Sequence, residues 1–209
     1  MNFLEILKNI SFTASTTTII IGCICVLLWL TKFKESSIFS KYLLLCALTE
    51  IVNLYGAHAK METLMIIPIF SFLELLVFIN YFKTQFAAKK LNILLLISAA
   101  LAVVDAFLIY YNPTGSVFVI SRVCNSIFLI VMAFYSIFYL QLPKRYVRIN
   151  FAIILYFSLT FVHFLVWNML LNIKEQEIFI IWITYSLACV VFNFLLFFDS
   201  WKFGKIHKL

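Results

Sequence analysis

A seven-helix bundle embedded in a membrane, with its N-terminus outside and its C-terminus in the cytoplasm, is the fold class this sequence predicts. Three features predict it. Apolar residues come in seven continuous runs, most close to the ~20 residues that cross a ~30 Å hydrocarbon core. Only four Gly and three Pro interrupt 209 residues, which favours long helices over turn-rich sheet. Lys and Arg fall in short clusters between the runs, heavily on one side, the distribution that orients helices in a bilayer. With 65% hydrophobic and 12% charged residues and a mean hydropathy of +1.07, a water-soluble domain could not cover its apolar surface. The apolar runs do not alternate with polar residues, so a membrane β-barrel is excluded as well.

Taken in order, the predicted spans are residues 13–31, 42–57, 63–82, 91–110, 116–140, 150–171 and 178–198, forming one domain over 1–209. The first run is followed by Thr31-Lys32-Phe33-Lys34, not by a small-residue cleavage site, which predicts a retained helix in place of a signal peptide. Pro68 is expected to mark the first turn of the third helix or to kink it. Asn112-Pro113-Thr114-Gly115 reads as a turn, and Leu142-Pro143 as a break between the fifth and sixth helices. Twelve of the 16 Lys and Arg lie on one side: Lys32, Lys34 and Lys41; Lys83, Lys89 and Lys90; Lys144, Arg145 and Arg148; Lys202, Lys205 and Lys208. That asymmetry places the C-terminus in the cytoplasm. It also accounts for the formal net charge of +7 as topology and headgroup attraction, so the bilayer is the expected partner and nucleic acid is not.

Between the third and seventh runs the spacing Ile67-x-Ile69-x-x-x-Leu73-x-x-x-Val77-Phe78 matches Ile181-x-Ile183-x-x-x-Leu187-x-x-x-Val191-Phe192. This is compatible with two three-helix repeats joined by a single helix, although chance matches are common in so apolar a chain. Cys23, Cys25, Cys46, Cys124 and Cys189 all fall within apolar runs without a Cys-x-x-Cys pair, as expected of packing residues.

Ionisable groups within spans are costly and are the default functional candidates. Glu50 and Glu74 each lie nine residues from a cytoplasmic lysine, Lys41 and Lys83, which puts both about 13 Å into the membrane. They are expected to meet, share a proton or hold a cation, with Asn53 one turn from Glu50 and Ser71 one turn from Glu74; separate bonding to neighbouring helices is the plainer alternative. A second group, Asp105, Arg122 and His163, is expected about 8–12 Å below the outer boundary. Asp105 is the counter-charge expected for Arg122, with Asn125 on the same face of the fifth helix and an anionic ligand or external acidity as what such a site would sense. No metal or cofactor motif is present, and no catalytic residue is assigned.

At Tyr42-Leu43-x-x-x-x-Leu48-x-Glu50-Ile51, Ser71-Phe72-x-Glu74, Asn125-Ser126 and Tyr156-Phe157-Ser158-x-Thr160-Phe161 the chain resembles a group of seven-helix bacterial membrane proteins of no assigned activity. The resemblance implies a shared fold with acidic residues in the second and third helices, in the bacterial cytoplasmic (inner) membrane. The helix count is also similar to that of small sugar and vitamin facilitators, but their Pro-Gln pair is absent. The expected function is a small transporter or solute-binding membrane protein built around Glu50 and Glu74. The alternatives are a non-enzymatic receptor or accessory subunit that docks a membrane protein partner, or an intramembrane lipid-modifying enzyme using His163 with Asp105.

Overall fold

In the computed structural model the described residues are 3–32, 38–59, 64–86, 91–111, 119–167 and 175–203. They form seven helices and no strand: α1 (Phe3–Lys32), α2 (Ile38–His58), α3 (Ile66–Phe82), α4 (Leu91–Tyr111), α5 (Ile120–Tyr139), α6 (Lys144–Trp167) and α7 (Glu175–Phe203). Six contain segments long and apolar enough to cross a membrane; α3, with 17 residues, is equally apolar in character but shorter. The architecture therefore fits an integral membrane protein.

Several helices extend beyond their apolar runs, because hydrocarbon length and helix length are set by different forces. α1 starts ten residues before the predicted span. Further along, Thr13, Thr16 and Thr17 donate their hydroxyls to the carbonyls of Asn9, Phe12 and Thr13, one turn back, so these polar side chains are satisfied within the helix. α6 starts at Lys144, with its basic residues already wound into the first turns. Pro143 precedes it, and its carbonyl accepts from the amides of Tyr146 and Val147. α5 starts later than expected, at Ile120, since Val119 has non-helical backbone angles of −82° and 86°. Pro68 lies in the first turn of α3, where its missing N–H has no helical partner to lose. The predicted Asn112–Gly115 turn lies outside the described residues.

Side-chain pairs give the direction of each helix. Phe39 meets Tyr81 and Tyr42 meets Phe78, so α2 runs against α3. Tyr81 meets Asn150 and Phe78 meets Phe157, so α6 also opposes α3. Arg145 with Asp199, Tyr156 with Phe192 and His163 with Tyr185 set α7 against α6. Ser98 with Asn125 and Asp105 with Ser121 set α5 against α4. Ser71 with Asn125 and Phe86 with Tyr135 run α5 alongside α3. On α1, Gly22 packs so close to α2 that an added Cβ would fall 2.3 Å from that of Ala47; only Gly permits this approach. With Ser15 beside Glu50 as a second pair, α1 runs against α2, so odd-numbered helices run one way and even-numbered ones the other.

α3 is the central helix, with α2, α4 and α5 packed around it and α6 reached through its side chains, while α1 packs on α2 and α7. Polar side chains are gathered inward: Ser71, Glu74, Ser98, Asp105, Arg122, Asn125, Asn150, Thr160, His163 and Asn193 are all buried. Large apolar side chains such as Leu96, Val103, Phe107, Val131, Phe138 and Phe151 point outward. This inversion of the water-soluble pattern suits a hydrocarbon surround, where polar groups find partners only inside the bundle. Below the polar centre, Tyr42, Phe78, Phe157 and Phe192 interlock in tilted and edge-to-face contacts, centroids 5.0–6.2 Å apart.

Candidate functional site

The centre of the site is Glu74, on α3. Its carboxylate has no exposed surface, and the guanidinium that faces it, Arg122 of α5, is 1% exposed. Arg122 Nη1 donates to Glu74 Oε2, and the Tyr42 hydroxyl of α2 donates to Oε1 at 3.0 Å. Arg122 Nη2 donates to the Tyr185 hydroxyl of α7 at 3.1 Å and, at 3.5 Å, to that of Tyr156 on α6. The Arg122 Cζ lies 5.1 Å from the centre of the Phe70 ring and 5.6 Å from that of Phe164, a placement that holds a guanidinium by cation–π attraction while keeping water away. Five helices meet at this ion pair. One positive and one negative charge compensate each other, the condition under which ionised groups persist in a low-dielectric interior.

Two polar groups flank the centre. Behind Arg122, the Asn125 amide donates to the Ser71 carbonyl, the Ser71 hydroxyl and the Ser98 hydroxyl at 2.8–3.2 Å, tying α3, α4 and α5 together. On the far side, His163 stacks on Tyr185 with ring centres 4.5 Å apart, and Cys189 lies 3.5 Å from the Tyr156 hydroxyl. At the opposite end of α6, Arg145 Nε and Nη2 bond the Asp199 carboxylate at 2.6–3.1 Å. Nearby, Tyr81, Asn150 and Gln85 form a chain of 2.8 and 3.2 Å bonds. Among the described residues, no three His, Cys, Asp or Glu side chains are grouped as a metal ion needs.

The chain matches no family model, no curated protein and no solved structure. Its site is therefore read from geometry. Of the residues singled out in the sequence, Glu74, Arg122, Asn125 and His163 come together. The arrangement within the outer group differs from expectation. Asp105 does not take Arg122; its two oxygens accept from the backbone amides of Ile120 at 3.0 Å and Ser121 at 2.7 Å. Because α5 begins at Ile120, those amides are the unpaired donors of a helix start, and they lie nearest to the α4 carboxylate. Arg122, a further step round the helix, is left to face α3.

Glu74 accordingly finds a cation, and Glu50 is placed apart from that contact. Glu50 is half-buried on α2 with the Ser15 hydroxyl of α1 as its hydrogen-bonding neighbour, and Asn53 is half-buried one turn further on. Asp199, read in the sequence as part of an interfacial anchor, is the partner of Arg145, while Trp201 beside it is more than half exposed. Sequence reasoning missed Tyr185, Phe70 and Phe164 as site residues. A tyrosine in mid-span was the available signal for the first, since a buried hydroxyl needs a partner; nothing separates Phe70 or Phe164 from the other 22 phenylalanines.

Proposed function

We propose that this chain is a small transporter or solute-binding protein of the bacterial cytoplasmic membrane, with the N-terminus outside, the C-terminus inside, and its solute site at Glu74 and Arg122. The observation that carries the reading is a fully buried ion pair at the convergence of five helices. As packing alone it is a poor device: a buried ion pair is often no more stabilising than well-packed apolar residues, and becomes a liability whenever one partner is lost. Within membranes such groups mark the paths of ions and solutes. The aromatic layer formed by Phe78, Phe157 and Phe192 lies on one side of the pair and the Phe164–Tyr185 contact on the other, the two-sided closure expected of an occluded state if the protein works by alternating access. The Arg145–Asp199 pair and the Tyr81–Asn150–Gln85 chain close its cytoplasmic end.

Orientation rests on the alternating helix directions, which put Lys83, Arg145 and Asp199 at one end of the bundle, together with the bias of Lys and Arg along the sequence towards that side. A receptor or accessory subunit is the second reading, supported by the closure of the centre and by an apolar groove of ≈ 310 Å³ between α1 and α7, lined by Ile6, Ile10, Ala14, Leu187 and Val190. The lipid-enzyme reading lacks its acid–base pair, with Asp105 capping α5 and His163 stacked on Tyr185.

The deciding experiment takes the purified protein in detergent through a panel of anionic, cationic and neutral small solutes, following the melting temperature, and then tests each hit for uptake into proteoliposomes. At least one solute should stabilise the wild type and lose at least tenfold in affinity on Tyr185→Phe or Arg122→Lys. A panel without a single hit, in a protein that melts cooperatively, would refute the solute site.

A further inference from the structure

Taking the solute-binding reading as its basis, we infer that the solute is a small monovalent carboxylate or oxyanion, and that it enters with one proton, which neutralises Glu74 while the anion replaces Glu74 on Arg122. The inference starts from charge. Arg122 keeps its proton under all ordinary conditions, so the centre always holds one positive charge and requires one negative charge beside it. A cation arriving here would add a second positive charge beside the guanidinium. An anion arriving alone would leave a net negative charge. An anion with a proton on Glu74 preserves neutrality throughout.

The residues around Glu74 can accommodate that exchange. Its Oε1 already bonds the Tyr42 hydroxyl, and Tyr42 has Cys46 as a second hydrogen-bonding neighbour. When Glu74 carries the proton, its O–H donates to the Tyr42 oxygen and the Tyr42 O–H turns towards the Cys46 sulfur, so no buried donor is orphaned. The released Arg122 then presents Nη1 and Nη2 as a planar fork matched to a carboxylate or oxyanion. The Tyr156 and Tyr185 hydroxyls, which accept from Nη2 and also bond Cys189, flank the same fork. Phe70 and Phe164 remain over the guanidinium and favour a flat, compact ligand.

The other titratable groups around the centre do not substitute for Glu74. On α2 these are Tyr42, Cys46 and, further along, Glu50, which bonds towards Ser15. α4 contributes Asp105, whose oxygens are held by two backbone amides. α5 contributes Arg122 itself, α6 contributes Tyr156 and His163, and α7 contributes Tyr185 and Cys189. Among the described residues, Glu74 is the carboxylate in contact with Arg122.

Isothermal titration of the detergent-purified wild type with formate, acetate and nitrate tests this, with choline and glucose as the cationic and neutral probes. Each is run at several pH values and in buffers of different ionisation enthalpy, which reads proton uptake directly. The expected result is one proton bound per anion and an affinity that rises about tenfold for each unit fall in pH while Glu74 is ionised in the free protein, levelling off below that range. Glu74→Gln should bind the same anions with no pH dependence, at the affinity of the wild type's acid plateau. Should that variant fail to fold without a ligand, proton uptake by the wild type still decides. Anion binding without proton uptake would overturn the exchange. Binding of choline or glucose but of none of the anions would overturn the solute class and leave the solute site standing. Binding of no probe in any class would remove both.

Discussion

Arg122 has five N–H donors and no way to become neutral, so everything near it is arranged around its charge. Glu74 supplies the counter-charge, Tyr156 and Tyr185 take Nη2, and two phenylalanine faces cover the guanidinium. Replacing one member of a buried pair strands the other. Arg122→Gln or Glu74→Gln alone should each lower stability by about 3–5 kcal/mol, whereas the double replacement should recover most of that loss. Denaturant titrations of the two single variants and the double variant provide the measurement, and additive losses would show that the charges do not depend on each other. That Glu74 and Arg122 would turn inward was legible in the sequence, because charged residues in apolar runs are conspicuous and find partners only inside the bundle. Their pairing was not legible. Depth counted from the ends of apolar runs placed Arg122 closer to Asp105 than to Glu74, and the true start of α5 altered that geometry.

The element that sets the position of Arg122 is α5, whose first turn is fixed by a carboxylate from another helix. Asp105 accepts from the amides of Ile120 and Ser121, satisfying two donors of a helix start and opposing the positive end of its dipole. Asp105→Ala should cost about 1–2 kcal/mol, in the range of a lost N-cap, and should speed amide exchange over the first turn of α5 while leaving the far end of the helix protected. Mass-spectrometric hydrogen exchange resolves the two regions; unchanged exchange at residues 120–123 would contradict the capping role. Number and order of helices were readable from the runs alone, but their ends were not. Apolar length reports where hydrocarbon begins, whereas α1 and α6 extend through polar and charged residues such as Lys8, Asn9, Lys144 and Arg145, which a helix tolerates as well as it does apolar ones. Caps contributed from other helices leave no local trace in a sequence.

For the molecule as a whole, alternating helix directions leave the start of α1 and the end of α7 at opposite ends, and the distribution of Lys and Arg predicts which end faces the cytoplasm. Reporter fusions after His58, Asn112 and Lys174 should read as external and those after Lys34, Lys89 and Arg145 as cytoplasmic. A consistent inversion, or an even number of crossings, would overturn the topology. The shortness of α3 has a consequence for how such a bundle is made. Its 17 residues span only about 25 Å, less than the hydrocarbon core, and an acidic residue lies at its middle. In the finished protein α2, α4 and α5 pack on α3 and its acid is paired with Arg122. During synthesis, however, α3 leaves the ribosome well before α5, and for those 48 residues its acid has no base. A short helix with an unpaired acid is a poor span on its own. Such a span is expected to lean first on α2, whose Tyr42 bonds Glu74, and to gain its full partner only with Arg122, so that the ion pair would be among the last contacts made as the bundle assembles.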